Sequence, residues 1–232
     1  MWRSANRNLR GERREAKGEL RHTFHPSLFA LLLLFLTSCH SVTPVVKIGL
    51  VGPFEGRYRE VGYDVIYSAR LAVREINQAG GIDDYRVALV ALDDGGDKEL
   101  ARETAESLTL DPAVIVVVGH WLTQTTAVAA PIYAQADLPF IQMGSEPFTT
   151  FNPANLPPDF KAAYETVTPF DEQAGPYAGS TYDAFNLLWL ALAHAAENGP
   201  ITRQSVTNSL NSLQYEGLTG KVYWQLETGA RD

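Results

Sequence analysis

Four short apolar runs, each followed by a stretch of helical periodicity, constrain this 232-residue chain more than any other feature. Residues 45–51 form a β-branched run that reads as a first strand. Gly52 and Pro53 end it, and a glycine-rich loop follows from Gly56 to Gly62. Val65, Ala69, Ala72 and Ile76 then recur at helical spacing, so they share one face. Gly80 and Gly81 stop that helix, as glycine does just past a helix end. Residues 87–92 read as a second strand, broken by Asp93, Asp94, Gly95, Gly96 and Asp97. Asp97 is placed to cap a helix that runs to about Leu110 with Leu100, Thr104, Ala105 and Leu108 on its inner side. Residues 113–118 are apolar throughout, the pattern of a strand buried on both faces of a parallel sheet. A third helix starts after Trp121 and ends near Ala136, and residues 138–141 make a fourth strand. The alternation predicts an α/β fold with a doubly wound parallel sheet. Ligands of such sheets bind beyond the carboxyl ends of the strands, here the loops 52–62, 93–97, 119–125 and 142–147.

The pattern then changes. Pro147, Pro153, Pro157 and Pro158 fall close together, and proline blocks both helix interiors and central strands. Residues 143–159 therefore read as a linker between a first part, 45–142, and a returning part, 160–232. The returning part carries helical segments at about 159–166, 178–197 and 202–213, and an alternating strand over 221–226. Residues 184–196 are apolar nearly all round, apart from Asn186 and His194, so that helix is expected to be buried.

The N-terminus has the marks of an export signal. Arg3, Arg7, Arg10, Arg13, Arg14, Lys17 and Arg21 precede an apolar run over 28–36, which ends in Leu36-Thr37-Ser38-Cys39. A bilayer-spanning helix needs about twenty residues, so this run is too short for a permanent span. The last four residues resemble a bacterial lipobox. That resemblance implies a signal peptide over 1–38, a lipidated Cys39, a short anchor over 39–44, and a protein held to the membrane on the periplasmic or extracellular side. Cys39 is the sole cysteine, so no disulfide can form within the chain. Seven of the 19 basic and three of the 27 acidic side chains precede Cys39, leaving a net charge of about −12 beyond it. So acidic a surface argues against nucleic acid as a partner.

Several stretches, in order, resemble one family. They are Ile48-Gly49-Leu50-Val51-Gly52-Pro53, then Ala72-Val73-Arg74-Glu75-Ile76-Asn77-Gln78-Ala79-Gly80-Gly81, then Asp93-Asp94, Val118-Gly119-His120 and Ala130-Pro131-Ile132-Tyr133. Gly175-Pro176-Tyr177, Tyr182-Asp183-Ala184 and Tyr215-Glu216-Gly217-Leu218-Thr219-Gly220 continue the series. Together they are similar to the leucine/isoleucine/valine-binding type of periplasmic binding proteins, the type I fold. The resemblance implies a solute-binding protein of a branched-chain amino-acid ABC importer that delivers its ligand to a membrane permease. Members of the family clamp the ligand between two lobes. Here the chain passes from the fourth strand through the proline linker to the returning part, so essentially one lobe is expected, with weakened clamping.

The same resemblance implies ligand-binding positions. Thr123 matches a hydroxyl residue at the start of the third helix that binds the ligand's carboxylate; capping of that helix is the other role open to it. Gly144 matches a backbone carbonyl that holds the ammonium group. Glu146 stands where the family has threonine. There it would favour a small amine, or else it faces solvent from a proline-rich loop. Tyr58, Val61 and Trp121 are candidates for an apolar wall. Gly96 and Leu122 occupy the places of two cysteines that many relatives join in a disulfide.

Other chemistries fit poorly. Gly49, Gly52 and Gly56 do not have dinucleotide-binding spacing. His120 with Asp93 and Asp94 lacks metal-ligand spacing. No Ser–His–Asp or Cys–His arrangement is visible, so neither an enzyme nor a cofactor is expected. The remaining alternative is an interaction or sensing module, or a non-transport remnant, of the same fold. In that case an exposed cleft face invites pairing with a second copy of the chain.

Overall fold

The computed structural model describes residues 43–169 and 172–224. The signal peptide expected over 1–38, Cys39 and the end of the strand expected over 221–226 lie outside the described residues. Four parallel strands form the main sheet: β1 (Val45–Gly52), β2 (Arg86–Asp93), β3 (Val114–Gly119) and β4 (Phe140–Gln142). Their order is β2-β1-β3-β4. Helix α1 (Arg59–Gln78) links β1 to β2, α2 (Lys98–Leu110) links β2 to β3, and α3 (Thr123–Gln135) links β3 to β4. The described residues thus build one α/β lobe.

Side chains alternate across a strand, so each strand feeds two cores. Ile48 and Leu50 of β1 join Val116 and Val118 of β3 on one face, under Val65, Ala69 and Ala72 of α1. Val51, Val114 and Val117 point to the other face, against Ala105 and Leu108 of α2 and Ala129 and Tyr133 of α3. All six residues of β3 are buried, as its unbroken apolar run requires. Fully burying one such aliphatic side chain contributes about 1.5–3 kcal/mol.

The ends of the helices follow their sequence signals. The Asp97 carboxylate accepts the N–H groups of Glu99 and Leu100 and caps α2. Gly80 and Gly81 adopt φ of +115° and +94° beyond α1, a region open to glycine. Asn77, just before them, pairs its side-chain amide with both backbone groups of Val87. It thereby occupies part of the outer edge of β2, which would otherwise present unpaired backbone.

The returning part covers the first face. Helix α4 (Pro158–Glu165) packs Phe160 and Tyr164 against Tyr67 and Leu71 of α1. Helix α5 (Ala178–Glu197) buries 13 residues, and α6 (Arg203–Leu210) closes the sheet's amino end. The Arg203 guanidinium donates to the carbonyls of Val114, Thr109, Asp111 and Ala136. Two of these end α2 and one ends α3, where free carbonyls favour a cation. The last helical segment ends at Leu210, three residues before the end expected at 213, and a turn then leads into β5 (Gln214–Gly217), which pairs antiparallel with β6 (Gly220–Tyr223). This hairpin is separate from the main sheet.

Two buried carboxylates fasten the returning part. Asp64 on α1 accepts the N–H groups of Gly175 and Tyr177. Burial raises its pKa to about 6, against the lowering effect of those two N–H groups. Asp183 on α5 accepts the N–H groups of Leu218 and Thr219 and the Thr219 hydroxyl, all in the β5–β6 turn. Burial raises its pKa too, and the three donors oppose that. The sequence stretches 175–177, 182–184 and 215–220 are therefore two latches seen from both sides.

Candidate functional site

From β1 the chain goes to β2 on one side, then crosses back to β3 on the other. The loops after β1 and β3 consequently face each other at a topological switch point, where open α/β sheets bind ligands.

The loop after β1 is held by Asp93. One of its carboxylate oxygens accepts the N–H groups of Phe54 at 2.8 Å and Gly95 at 2.9 Å. This sets the short turn Gly56–Tyr58 and the start of α1. Val61 is buried in the core beside Trp121. Tyr58 is half-buried against Gly96, where a Cβ would come within 2.7 Å of its ring and 3.0 Å of the Leu122 side chain. Gly96 and Leu122 thus face each other across the two loops. The Gln124 amide donates to the Gly96 carbonyl at 2.8 Å. Arg57, which sequence reasoning did not single out, has its guanidinium carbon 5.5 Å from the Tyr58 ring centre.

The loop after β3 leads into α3. Leu122 occupies the cap position with extended backbone and has no side-chain acceptor to offer. Thr123 is exposed at the first helical position, so capping is not its role. The N–H groups of Thr125 and Thr126 reach the Leu122 carbonyl, whereas those of Thr123 and Gln124 find no acceptor among the described residues. A helix start with free N–H groups and the positive end of the helix dipole attracts an anion.

Gly144 follows β4 and lies against the Trp121 backbone, so closely that a Cβ would overlap the Trp121 carbonyl. Its φ of +75° also suits glycine, and its N–H donates to the Phe148 carbonyl. Trp121 is 6% exposed, with its six-membered ring against Gly52. Its indole N–H is buried without an acceptor among the described residues.

Tyr58, Val61, Trp121, Thr123 and Gly144 therefore gather along the carboxyl edge. Glu146 follows Gly144 by two residues on the same loop. It is exposed and lines a small depression with Gln142, Ser145, Phe148, Tyr223 and Trp224, to which neither Thr123 nor Gly144 contributes. No ion pair of Glu146 occurs among the described residues.

Beneath the edge lies a polar chain that sequence reasoning missed. His120 Nδ1 is 2.8 Å from Asp94 Oδ2, and His120 Nε2 is 3.1 Å from the Tyr133 hydroxyl. All three residues are 0% exposed. The other Asp94 oxygen accepts the Gly96 N–H and so holds the turn after β2. Among the described residues no group of three His, Cys, Asp or Glu side chains is placed to hold a metal.

Residues 45–158 match the periplasmic binding protein family. The chain is 34% identical over 108 residues to an amino acid binding protein of Pseudomonas aeruginosa, covering 47% of this chain and 29% of that one. It is 25% identical over 188 residues to Leu/Ile/Val-binding protein homolog 1 of Brucella melitensis, covering 81% of this chain and 48% of that one. The chain thus spans about half or less of the length of these relatives. Its fold matches an ABC transporter substrate-binding protein of Desulfitobacterium hafniense, solved in complex with Leu, with a TM-score of 0.63 at 15% identity, covering 78% of this chain and 93% of that one. Over residues 45–158 in sequence, and in fold, this chain is therefore similar to periplasmic binding proteins, those of the leucine/isoleucine/valine-binding type among them.

Proposed function

We propose that the chain is an extracytoplasmic solute-binding lipoprotein of an amino-acid ABC importer, anchored to the membrane through Cys39. The observation that carries the ligand-binding part is the start of α3. Free N–H groups of Thr123 and Gln124 stand at the switch-point edge, beside the Gly144 loop. There the N–H groups and the Thr123 hydroxyl receive a ligand carboxylate, the Gly144 carbonyl takes the ammonium group, and Tyr58, Val61 and Trp121 form the apolar wall. The linker over 143–159 takes the place at which relatives insert a second lobe. Glu146 adds a preference for a cationic solute only if the ligand reaches its depression. Delivery is to a membrane permease, and no catalytic step is involved. The lipobox-like 36–39 stretch supports the anchor, and an acid-stable fatty-acyl label on wild type but not on Cys39→Ala tests it.

The ligand is tested by thermal melts against a panel of amino acids and small amines. A cooperative melt raised by leucine, isoleucine or valine is the expected result, since a ligand bound only by the folded state raises stability. A melt blind to every panel member defeats the reading. In that case the protein is an interaction module, and a second copy on the cleft face is looked for by sedimentation.

A further inference from the structure

We infer that Asp94, His120 and Tyr133 form a buried relay that positions the start of α3 for its anion, with His120 as a positioning residue for the ligand carboxylate. The inference rests on the carboxylate site proposed above.

Hydrogen counting fixes the relay's chemistry. Tyr133 keeps its proton, because burial first, and the Asp94 charge second, push the phenol pKa up. The acceptor that the described residues offer this buried O–H is His120 Nε2, at 3.1 Å. His120 Nδ1 then carries the ring proton and donates it to Asp94 at 2.8 Å. In this neutral tautomer every donor and acceptor of the imidazole has a partner. An imidazolium would leave the Tyr133 proton without one. The ring is also packed against Phe140 and Tyr133, with both ring centres 5.9 Å away. The ionisable groups facing His120 are thus Asp94, from the end of β2, and Tyr133, from α3, while β4 offers only Phe140.

A buried polar chain is no better for stability than apolar packing of the same shape, so its use lies in geometry. Each member ties a separate piece of the carboxyl edge. The Asp94 N–H donates to the Gly52 carbonyl at the end of β1, and its side chain accepts the Gly96 N–H. The His120 carbonyl accepts the Thr126 hydroxyl inside the first turn of α3. Tyr133 lies further along the same helix. The relay therefore holds the loops after β1, β2 and β3 and the body of α3 together from below. Thr123 and Gln124, three and four residues beyond His120, are placed by it without being touched by it.

The test uses the full-length protein and its His120→Ala, His120→Asn and Tyr133→Phe variants. The asparagine amide keeps an N–H where Nδ1–H faces Asp94. Two probes are titrated, L-leucine by calorimetry and acetate by the amide resonances of Thr123 and Gln124, well below the melting temperature of each variant. In wild type, ring 15N resonances should show His120 protonated at Nδ1 alone, and Tyr133→Phe should erode that preference. His120→Ala should weaken both probes about tenfold, with His120→Asn recovering most of the loss. Equal binding by wild type and His120→Ala overturns the relay while leaving the binding function intact, as does a wild-type ring protonated at Nε2. If leucine fails to bind but acetate still moves the two amides in a His120-dependent way, the relay stands and the amino-acid reading falls. If neither probe reaches Thr123 and Gln124 in wild type, there is no anion for His120 to position and both fall.

Discussion

Gly144 illustrates how a single residue can set a site. The loop after β4 must pass over the Trp121 backbone to bring its carbonyl near α3, and there is no room for a Cβ. The residue also holds φ at +75°, which costs any L side chain about 1–2 kcal/mol. Gly144→Ala should therefore lower stability by at least about 1–2 kcal/mol, by strain and overlap together. It should also weaken ligand binding more than a surface change of equal stability cost, because the loop must lift away from Trp121. Denaturant unfolding and leucine titration check the two halves. A fully stable variant with unchanged affinity would mean that the Gly144 loop adjusts freely and does not define the site. Asp97 gives a milder case, at the start of α2 next to Gly96. Asp97→Ala removes the oxygen that accepts two N–H groups of the first turn of α2 and should cost about 1 kcal/mol, with a smaller effect on leucine binding than Gly144→Ala.

At the scale of elements, Asp64 couples α1 to the returning part, and its burial makes that coupling depend on pH. Its pKa is 3.8 as a free group and about 6 in the fold. Between these values the folded state holds the proton more tightly than the unfolded chain does. Its contribution is therefore fully present below about pH 4 and is lost as pH rises through about 6, an amplitude of up to ~3 kcal/mol. Other carboxylates titrate too: the Asp183 pKa is raised by burial like that of Asp64, whereas the Asp111 pKa is held down chiefly by the Lys47 hydrogen bond. The Asp64 effect must therefore be read as a difference. The stability of wild type relative to Asp64→Asn should fall as pH rises across that window, and a flat difference would show that Asp64 ionises normally in the fold. The main elements were legible in the sequence because their signals are local. Val65, Ala69 and Ala72 lie on one face of α1, Asp97 sits at its cap, and the apolar run of β3 needs no partner to be seen. β5 was missed because Gln214–Gly217 has little apolar alternation; it is a strand only through its pairing with β6 and the Asp183 latch behind the turn. The Asp94–His120–Tyr133 chain was missed for a related reason. Its members are 26 and 13 residues apart, and Tyr133 looks like one more core aromatic in an apolar helix. The start of α3 could be placed from sequence, but whether Thr123 caps it depended on one residue of helix phase.

At the scale of the whole molecule, the site proposed at α3 is one wall of a binding cleft. Small-molecule sites usually bury about 70–90% of the ligand's surface. One lobe can supply the carboxylate cradle at α3 and the wall of Tyr58, Val61 and Trp121, but it leaves the opposite side of the ligand in water. Hydrogen bonds made there compete with solvent, so each contributes only about 0.5–1.5 kcal/mol. Leucine should consequently bind with a Kd of about 0.1 mM or weaker, which corresponds to only about 5.5 kcal/mol. Calorimetry at several protein concentrations decides between two outcomes. Weak binding that is independent of protein concentration is expected for a single lobe acting alone. Submicromolar binding would mean that something closes the other side of the ligand. If that affinity rose with protein concentration and two chains took up one ligand, the second wall would be another copy of the same edge. The N–H groups and the apolar wall would then be used twice, and the clamp would be assembled between molecules.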